Sequence, residues 1–498
     1  MISGKFTMNL ITLLIKLIKI TLLTFHMRKI ISLSILLVAF MLTNSLSAQN
    51  KSNRNSLPGA WLGKISTNGI ELRMVFNLKL NDKDSLIATL DSPDQGAKNI
   101  HLGSVLLDDK KLTIKAPMLM GEYKGSITGD STIDGTWTQR GAAYTVNLKK
   151  LKAVFTVNRP QEPKPPFPYT SEDVTFTNNK FSIRLAGTLT MPAGKGPFKC
   201  AILITGSGPQ NRNEELMWHK PFLIIADYLS RNGIAVLRYD DRGVGGSQGT
   251  YSEATSADLA TDAEAAFNFL NTNPKINQKE IGLMGHSEGG LIAPIVAASN
   301  PDIGFIVSLA GPGVTGQQII IRQSEDISKL SGVSEHQIKE STEALKKRFA
   351  ILRKEKDNKK AELKIIALYK ENLEKKKTSK EETEKAVNIF KKQFGADSFT
   401  WFRYFIMTDP AMYWEKVNCP VLALNGDKDL QVSAKENLPA IEKALKSSGN
   451  ESVKTVNLPG LNHLFQHCKT GLPTEYSSIE ETFSPEALKI ISDWILAL

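Results

Sequence analysis

The sequence predicts two folded domains: a small all-β unit, then a larger α/β unit whose mostly parallel sheet carries helices on both faces. Three observations lead there. Residues 57–157 hold short runs of partly alternating apolar and polar residues and no helix-length periodic segment. A proline-rich stretch, Arg159-Pro160-Gln161-Glu162-Pro163-Lys164-Pro165-Pro166-Phe167-Pro168, follows them. From Ser171 onward, apolar runs such as 200–205 and 234–239 alternate with helical stretches, the pattern of βαβ units.

Ahead of both domains, Met27-Arg28-Lys29, the apolar run 30–42 and Ser45-Leu46-Ser47-Ala48 form the three parts of a secretory signal peptide. Cleavage is expected near Ala48, and a lipobox cysteine is absent. Residues 1–26 form a second apolar run, broken by Lys16 and Lys19, and read as an upstream extension of a true start at Met27. The rival reading is a retained membrane anchor. The protein is thus expected to be periplasmic or secreted, with no stable membrane insertion once the signal is removed.

In the first domain, the runs 72–76, 85–90 and 111–114 are expected strands, separated by turn clusters such as Asn81-Asp82-Lys83-Asp84. Trp61 and Trp137 are expected as buried aromatics closing a small sandwich or barrel. Residues 158–170 read as a semi-rigid polyproline spacer. The domain from 171 to 498 opens with a hairpin to Met191, and helices are expected over 214–232 and 257–271. Strands follow at 303–309, 420–424 and 453–458, with a final amphipathic helix over 485–498. Between 317 and 418 the alternation stops. That segment is long, charged and helical in pattern, and it has no glycine between Gly332 and Gly395. It is expected to be a cap inserted over the carboxyl edge of the sheet.

The chemistry centres on Ile281-Gly282-Leu283-Met284-Gly285-His286-Ser287-Glu288-Gly289-Gly290. A G-x-S-x-G between a strand and a helix holds a serine on a sharp turn with its hydroxyl exposed. A serine nucleophile needs a base, and the base needs an orienting group. His463 follows the strand 453–458, and Asp429 follows the strand 420–424, so both reach the edge where Ser287 sits. Asp427 is the expected turn former and His467 the rival base, while His286 is expected to point away from the pocket and His219 and His336 to lie on helices. The oxyanion donors are expected to be the backbone N–H of Glu288 and that of Ser207, with Gly208 next. Neither Gly206-Ser207-Gly208 nor Gly243-Val244-Gly245 continues into a nucleotide-binding fingerprint, so no cofactor is expected. Cys200, Cys419 and Cys468 have no metal-binding or redox spacing and are expected as buried free thiols. The net charge of +11 comes with dispersed lysines and no nucleic-acid motif, which reads as a solvated basic surface.

These motifs, together with Asp240-Asp241-Arg242-Gly243-Val244-Gly245-Gly246-Ser247 and Gly460-Leu461-Asn462-His463, resemble the α/β-hydrolase superfamily. Within it they look most like the bacterial carboxylesterases grouped with serine aminopeptidases. The resemblance covers 171–498 and implies an eight-stranded sheet, a Ser287–His463–Asp429 triad and a helical cap. In one departure, Thr205-Gly206 stands where the family usually has His-Gly. By the same resemblance Trp401 and Tyr404, in Trp401-Phe402-Arg403-Tyr404-Phe405, would line the substrate wall, whereas Arg403 is expected in a salt bridge within the cap. The expected partner is a small-molecule ester. An aminopeptidase would instead need an acidic site for a substrate amine, for which Glu325, Asp326 and Asp409 are candidates. A binding protein with a vestigial hydrolase domain is the reading of another class.

Overall fold

The computed structural model describes residues 55–67, 70–139, 141–375 and 377–498. The upstream extension and signal peptide expected over 1–48 lie outside the described residues. No helix among the described residues is long and apolar enough to cross a membrane. The chain divides into two compact units between Thr156 and Val157.

The first unit is a ten-stranded antiparallel sheet: β1 (Gly59–Thr67), β2 (Ile70–Leu80), β3 (Leu86–Ser92), β4 (Ala97–His101), β5 (Val105–Asp108), β6 (Lys111–Ala116), β7 (Gly121–Gly129), β8 (Thr132–Gln139), β9 (Ala142–Thr145) and β10 (Leu148–Lys150). Their order is β4-β3-β2-β1-β10-β8-β7-β6-β5, with β9 on β8. One apolar cluster draws Leu86 and Leu90 from one side of the sheet and Leu112 and Ile114 from the other. A flat sheet cannot bring those together, so the sheet curls around a single core. Trp61 and Trp137 lie in that core, and the Trp61 indole N–H donates to the Leu57 carbonyl at 2.7 Å. A side chain at Gly121 would stand 2.5 Å from the Trp137 ring, so the glycine makes room for the indole.

The second unit is built on β11 (Thr170–Asn178), β12 (Ile183–Met191), β13 (Phe198–Ile204), β14 (Ala235–Tyr239), β15 (Ile276–His286), β16 (Phe305–Leu309), β17 (Val421–Gly426) and β18 (Val453–Leu458). Their order is β11-β12-β14-β13-β15-β16-β17-β18. β12 pairs antiparallel with β11 and β14, and every later neighbour is parallel. Successive side chains of β13 enter opposite cores: Cys200, Ile202 and Ile204 one, Ala201 and Leu203 the other. Both faces are therefore dry, which is why the run reads as continuously apolar. Helices α1 (Pro221–Arg231), α2 (Ser256–Leu270) and α3 (Gly289–Ala297) connect these strands. The cysteines Cys200, Cys419 and Cys468 are all unpaired, and only Cys200 is fully buried.

The cap lies between β16 and β17 as α4 (Gly316–Leu330), α5 (Glu335–Lys354), α6 (Asn358–Lys375), α7 (Lys380–Gln393), α8 (Phe399–Met407) and α9 (Ala411–Trp414). Reciprocal capping boxes start three of these helices: Thr315 with Gln318, Ser334 with Gln337, Ser379 with Glu382. Beyond the cap come α10 (Ala434–Ser447) and α11 (Pro485–Ala497). Helices α2, α3 and α10 cover one face of the sheet, and α1 and α11 the other.

Three expectations are corrected here. The helix expected from 214 begins only at Pro221, whose fixed φ suits a first helical position. Before it, Glu214, Met217 and Trp218 have φ of +50, +50 and +67°, which a right-handed helix excludes. His219 therefore lies in an irregular turn. The proline-rich stretch is a strap on the second unit: Arg159 donates to the carbonyls of Met217, Ser477 and Ile479 at 2.8–3.1 Å. Arg403 makes no salt bridge in the cap. It donates to the Leu352 and Glu355 carbonyls at 2.8 and 2.9 Å, satisfying groups that the end of α5 leaves open.

Candidate active site

β15 runs directly into Ser287, which has a φ of +53°. That left-handed conformation is costly for a serine and persists because the surroundings enforce it. The Ser287 N–H donates to the Leu309 carbonyl at 2.8 Å, pinning the turn to β16. A Cβ on Gly285 would stand 1.9 Å from the Gly289 carbonyl oxygen, and one on Gly289 would stand 2.2 Å from that of Ile204. The glycines thus let β15, α3 and β13 approach closely enough for the turn to form.

β17 and β18 deliver the other two residues to the same edge. Asp429 is buried, and its Oδ1 accepts the N–H groups of Gln431 and Val432 at 2.7 and 2.9 Å. These bonds aim Oδ2 at His463 Nδ1, 2.8 Å away. The two loops touch: a Cβ on Gly426 would stand 2.1 Å from the Leu461 carbonyl oxygen. Ser287 and His463 line one cavity of about 270 Å³. Asp427 instead accepts the Gly460 N–H at 2.7 Å, a turn-forming contact. His467 is exposed, pairs with Glu481 at 2.9 Å and does not line the cavity.

The loop after β13 runs beside Ser287. Asp241 holds it at both ends, accepting the Thr205 hydroxyl at 2.7 Å and the Gln210 N–H at 2.9 Å. Asp240 pairs with Arg212 at 2.8 Å, and Arg242 with Asp262 at 2.7 Å, so the Asp240-Asp241-Arg242 motif is the loop's scaffold. Within the loop, the Gly206 N–H donates to Glu214 Oε1 at 2.7 Å and the Gly208 N–H to the Tyr251 hydroxyl at 2.9 Å. Among the described residues, the backbone N–H groups of Ser207 and Glu288 have no acceptor. Two donors therefore stand free beside the serine.

Residues 220–467 match the family described as serine aminopeptidase, S33. That match lies within the second unit, and the family is one of the α/β-hydrolase superfamily. Over 306 residues the chain is 26% identical to esterase EstD of Thermotoga maritima, a match covering 60% of this chain and 61% of EstD. It thus spans less than two thirds of that relative. Over 143 residues it is 32% identical to an acyl transferase of Photorhabdus laumondii subsp. laumondii, covering 28% of this chain and 43% of that protein. Among solved structures, the Pyrococcus furiosus esterase Pf2001 aligns with a TM-score of 0.40 at 15% identity, over 66% of this chain and 93% of that one.

In this α/β-hydrolase domain the cap closes the cavity with Ile319, Ile320 and Gln323 of α4 and Trp401 and Phe405 of α8. Trp401 and Phe405, four apart on one helix face, stack at 5.4 Å. The Trp401 indole N–H donates to Glu288 Oε1 at 2.7 Å, and the Ser256 hydroxyl donates to the same oxygen at 2.5 Å. Burial pushes the Glu288 carboxyl above its ordinary range, against the pull of those donors. Tyr404, expected on the wall, does not line the cavity. Its hydroxyl turns toward α9 and meets that of Tyr413 at 3.0 Å.

Three titratable lining residues escaped the sequence reading: Glu214, His219 and His286. His286 was expected to face away, yet its ring forms part of the wall, with Nδ1 3.0 Å from Glu214 Oε1 and Nε2 2.9 Å from the His463 carbonyl. His219 is buried between Thr482 and Tyr476. Pro221 was the available signal, because a proline at a helix start turns the polar stretch before it into loop.

Proposed function

We propose that the α/β-hydrolase domain is a serine hydrolase that cleaves small carboxylic esters through an acyl-enzyme. The observation that carries this reading is the shared cavity, where Ser287 sits on its strained turn beside a His463 whose far nitrogen is bound by Asp429. The Ser287 hydroxyl attacks the ester carbonyl while His463 takes its proton and then delivers it to the leaving alcohol. Asp429 keeps the imidazole in the tautomer whose Nε2 is free. The N–H groups of Ser207 and Glu288 receive the oxyanion of the tetrahedral intermediate, a contribution worth about 10²–10³ in rate for each donor. Water then repeats the sequence on the acyl-enzyme.

Esters are favoured over aminoacyl substrates because the wall offers no spare carboxylate for an amine. Glu214 is the carboxylate lining the cavity, and its Oε1 serves Gly206 and His286. Glu325 accepts the Thr342 hydroxyl, Asp326 pairs with Arg322, and Asp409 accepts the Ala411 N–H, all away from the cavity. The basic, apolar and small-residue order of 27–48 supports an exported enzyme. A fluorophosphonate probe should label the purified protein at Ser287, and Ser287→Ala should lose both labelling and ester cleavage. Folded protein that resists the probe would remove the serine-hydrolase reading. Faster turnover of aminoacyl-anilides than of p-nitrophenyl acetate would replace the esterase with an aminopeptidase.

A further inference from the structure

Two buried histidines flank the cavity without serving as the base, and their partners distinguish them. His219 Nδ1 faces the Thr482 hydroxyl at 3.0 Å, and its Nε2 faces the Tyr476 carbonyl at 2.9 Å. Its Nε2 also meets the Gln466 amide nitrogen at 3.1 Å; that amide and the Thr482 hydroxyl can both donate, so no contact calls for a second ring proton. His286 has no such solution. Its Nε2 faces the His463 carbonyl, which only accepts, so that nitrogen carries a proton. Its Nδ1 faces Glu214 Oε1, which already accepts the Gly206 N–H. A second proton must occupy the bridge between ring and carboxylate.

We propose that His286 is a standing imidazolium, ion-paired with Glu214, and acts as a positioning residue whose fixed charge beside the triad shapes the pH profile of the reaction. The role rests on the serine-hydrolase reading above; the charge state does not. Three features of the geometry support it. The His286 and His463 rings are 4.8 Å apart by centroid, close enough for charge on one ring to be felt at the other. The two ring nitrogens point to opposite sides, so the Glu214 carboxylate lies beyond the cation as seen from the His463 carbonyl. The same pair ties the histidine loop, through the His463 carbonyl, to the loop beside Ser287, through Gly206.

The groups facing the pair keep the proton in place. Glu214 approaches from the turn before α1, Asp429 from the loop after β17, and His463 from the loop after β18; Asp241 lies near Glu214 from the end of β14. A small void beside the pair is otherwise lined by apolar residues, among them Phe222, Ile225, Leu309 and Phe483. Burial pulls the His286 pKa down, but the Glu214 charge and its hydrogen bond, with the His463 carbonyl and Asp429, outweigh it and hold the group above its ordinary value. A fixed cation beside the triad disfavours further positive charge at that edge of the cavity.

The test uses the full chain labelled with ¹⁵N-histidine, the His286 signals being assigned by their loss in His286→Gln. Both His286 nitrogens should carry the imidazolium shift unchanged from about pH 6 to about pH 9, whereas an ordinary histidine titrates near the lower limit. A bare imine nitrogen in that range would overturn the proposal, whether or not the protein cleaves esters. The second arm is Glu214→Gln, which is nearly isosteric and whose amide N–H can donate to Nδ1 of a neutral ring. Without the carboxylate the ring becomes neutral, and the acid limb of kcat/KM against pH should move upward by about one unit. A lowered kcat with the limb unmoved would reduce the pair to a structural tie and overturn the assigned role.

Discussion

The sheet edge and the cap meet at one cavity but are built by different means. At the sheet edge, Ser287, Asp429 and His463 are each held by backbone geometry: a left-handed turn bonded to β16, two N–H groups on one carboxylate oxygen, and two loops in contact at Gly426. In the cap, Ile319 reaches the cavity from the largely polar α4, Trp401 and Phe405 reach it from the short aromatic α8, and Trp401 is tied to the elbow through a single indole bond to Glu288. The edge therefore has almost no freedom to vary, and the cap has much. In the proposed reaction, the chemistry belongs to the first and the choice of acyl group to the second.

The largest test of this division is His463→Ala, which should lower kcat by about 10⁴-fold or more, while His467→Ala, four residues on but outside the cavity, should cost less than about twofold. Equal losses would remove the distinction between the cavity edge and its surroundings. Next comes Gly289→Ala, whose methyl would press against the Ile204 carbonyl. Thermal or urea unfolding should show a loss of at least about 3 kcal/mol, and a silent substitution would mean the elbow is looser than its contacts show.

His219 links the comparison to pH. Burial, helped by the Arg159 charge, holds its imidazole down at about 4, against 6.5 in the unfolded chain. Between those values the unfolded state binds more protons than the folded one, so stability falls as pH falls from 6.5 toward 4. The loss should approach about 2–3 kcal/mol and should shrink in His219→Gln, measured as unfolding free energy against pH. The smallest effect is reserved for the cap. Trp401→Ala should change kcat/KM by about tenfold, unevenly across acyl chain lengths, while Trp401→Phe should change it less. A uniform loss as large as that of His463→Ala would make the cap part of the reaction machinery.

Much of this was legible in the chain. The apolar run 200–205 announced a strand buried on both faces, and the charged stretch without glycine between Gly332 and Gly395 announced the long helices of the cap. That Ser287, Asp429 and His463 meet at one edge was legible because each follows a strand of the sheet, and parallel strands deliver their following loops to one edge. Such signals are local, since periodicity and turn chemistry are written within a few residues of where they act. The roles of Glu214 and His286 depend on chain segments 72 residues apart, and that of Glu288 on its meeting with Trp401, 113 residues away. A side chain's partner across such distances is decided by packing, not by its neighbours in sequence. Tyr404 shows the same limit from the other side: it shares a short aromatic helix with Trp401, yet tertiary packing turned one toward the cavity and the other toward α9.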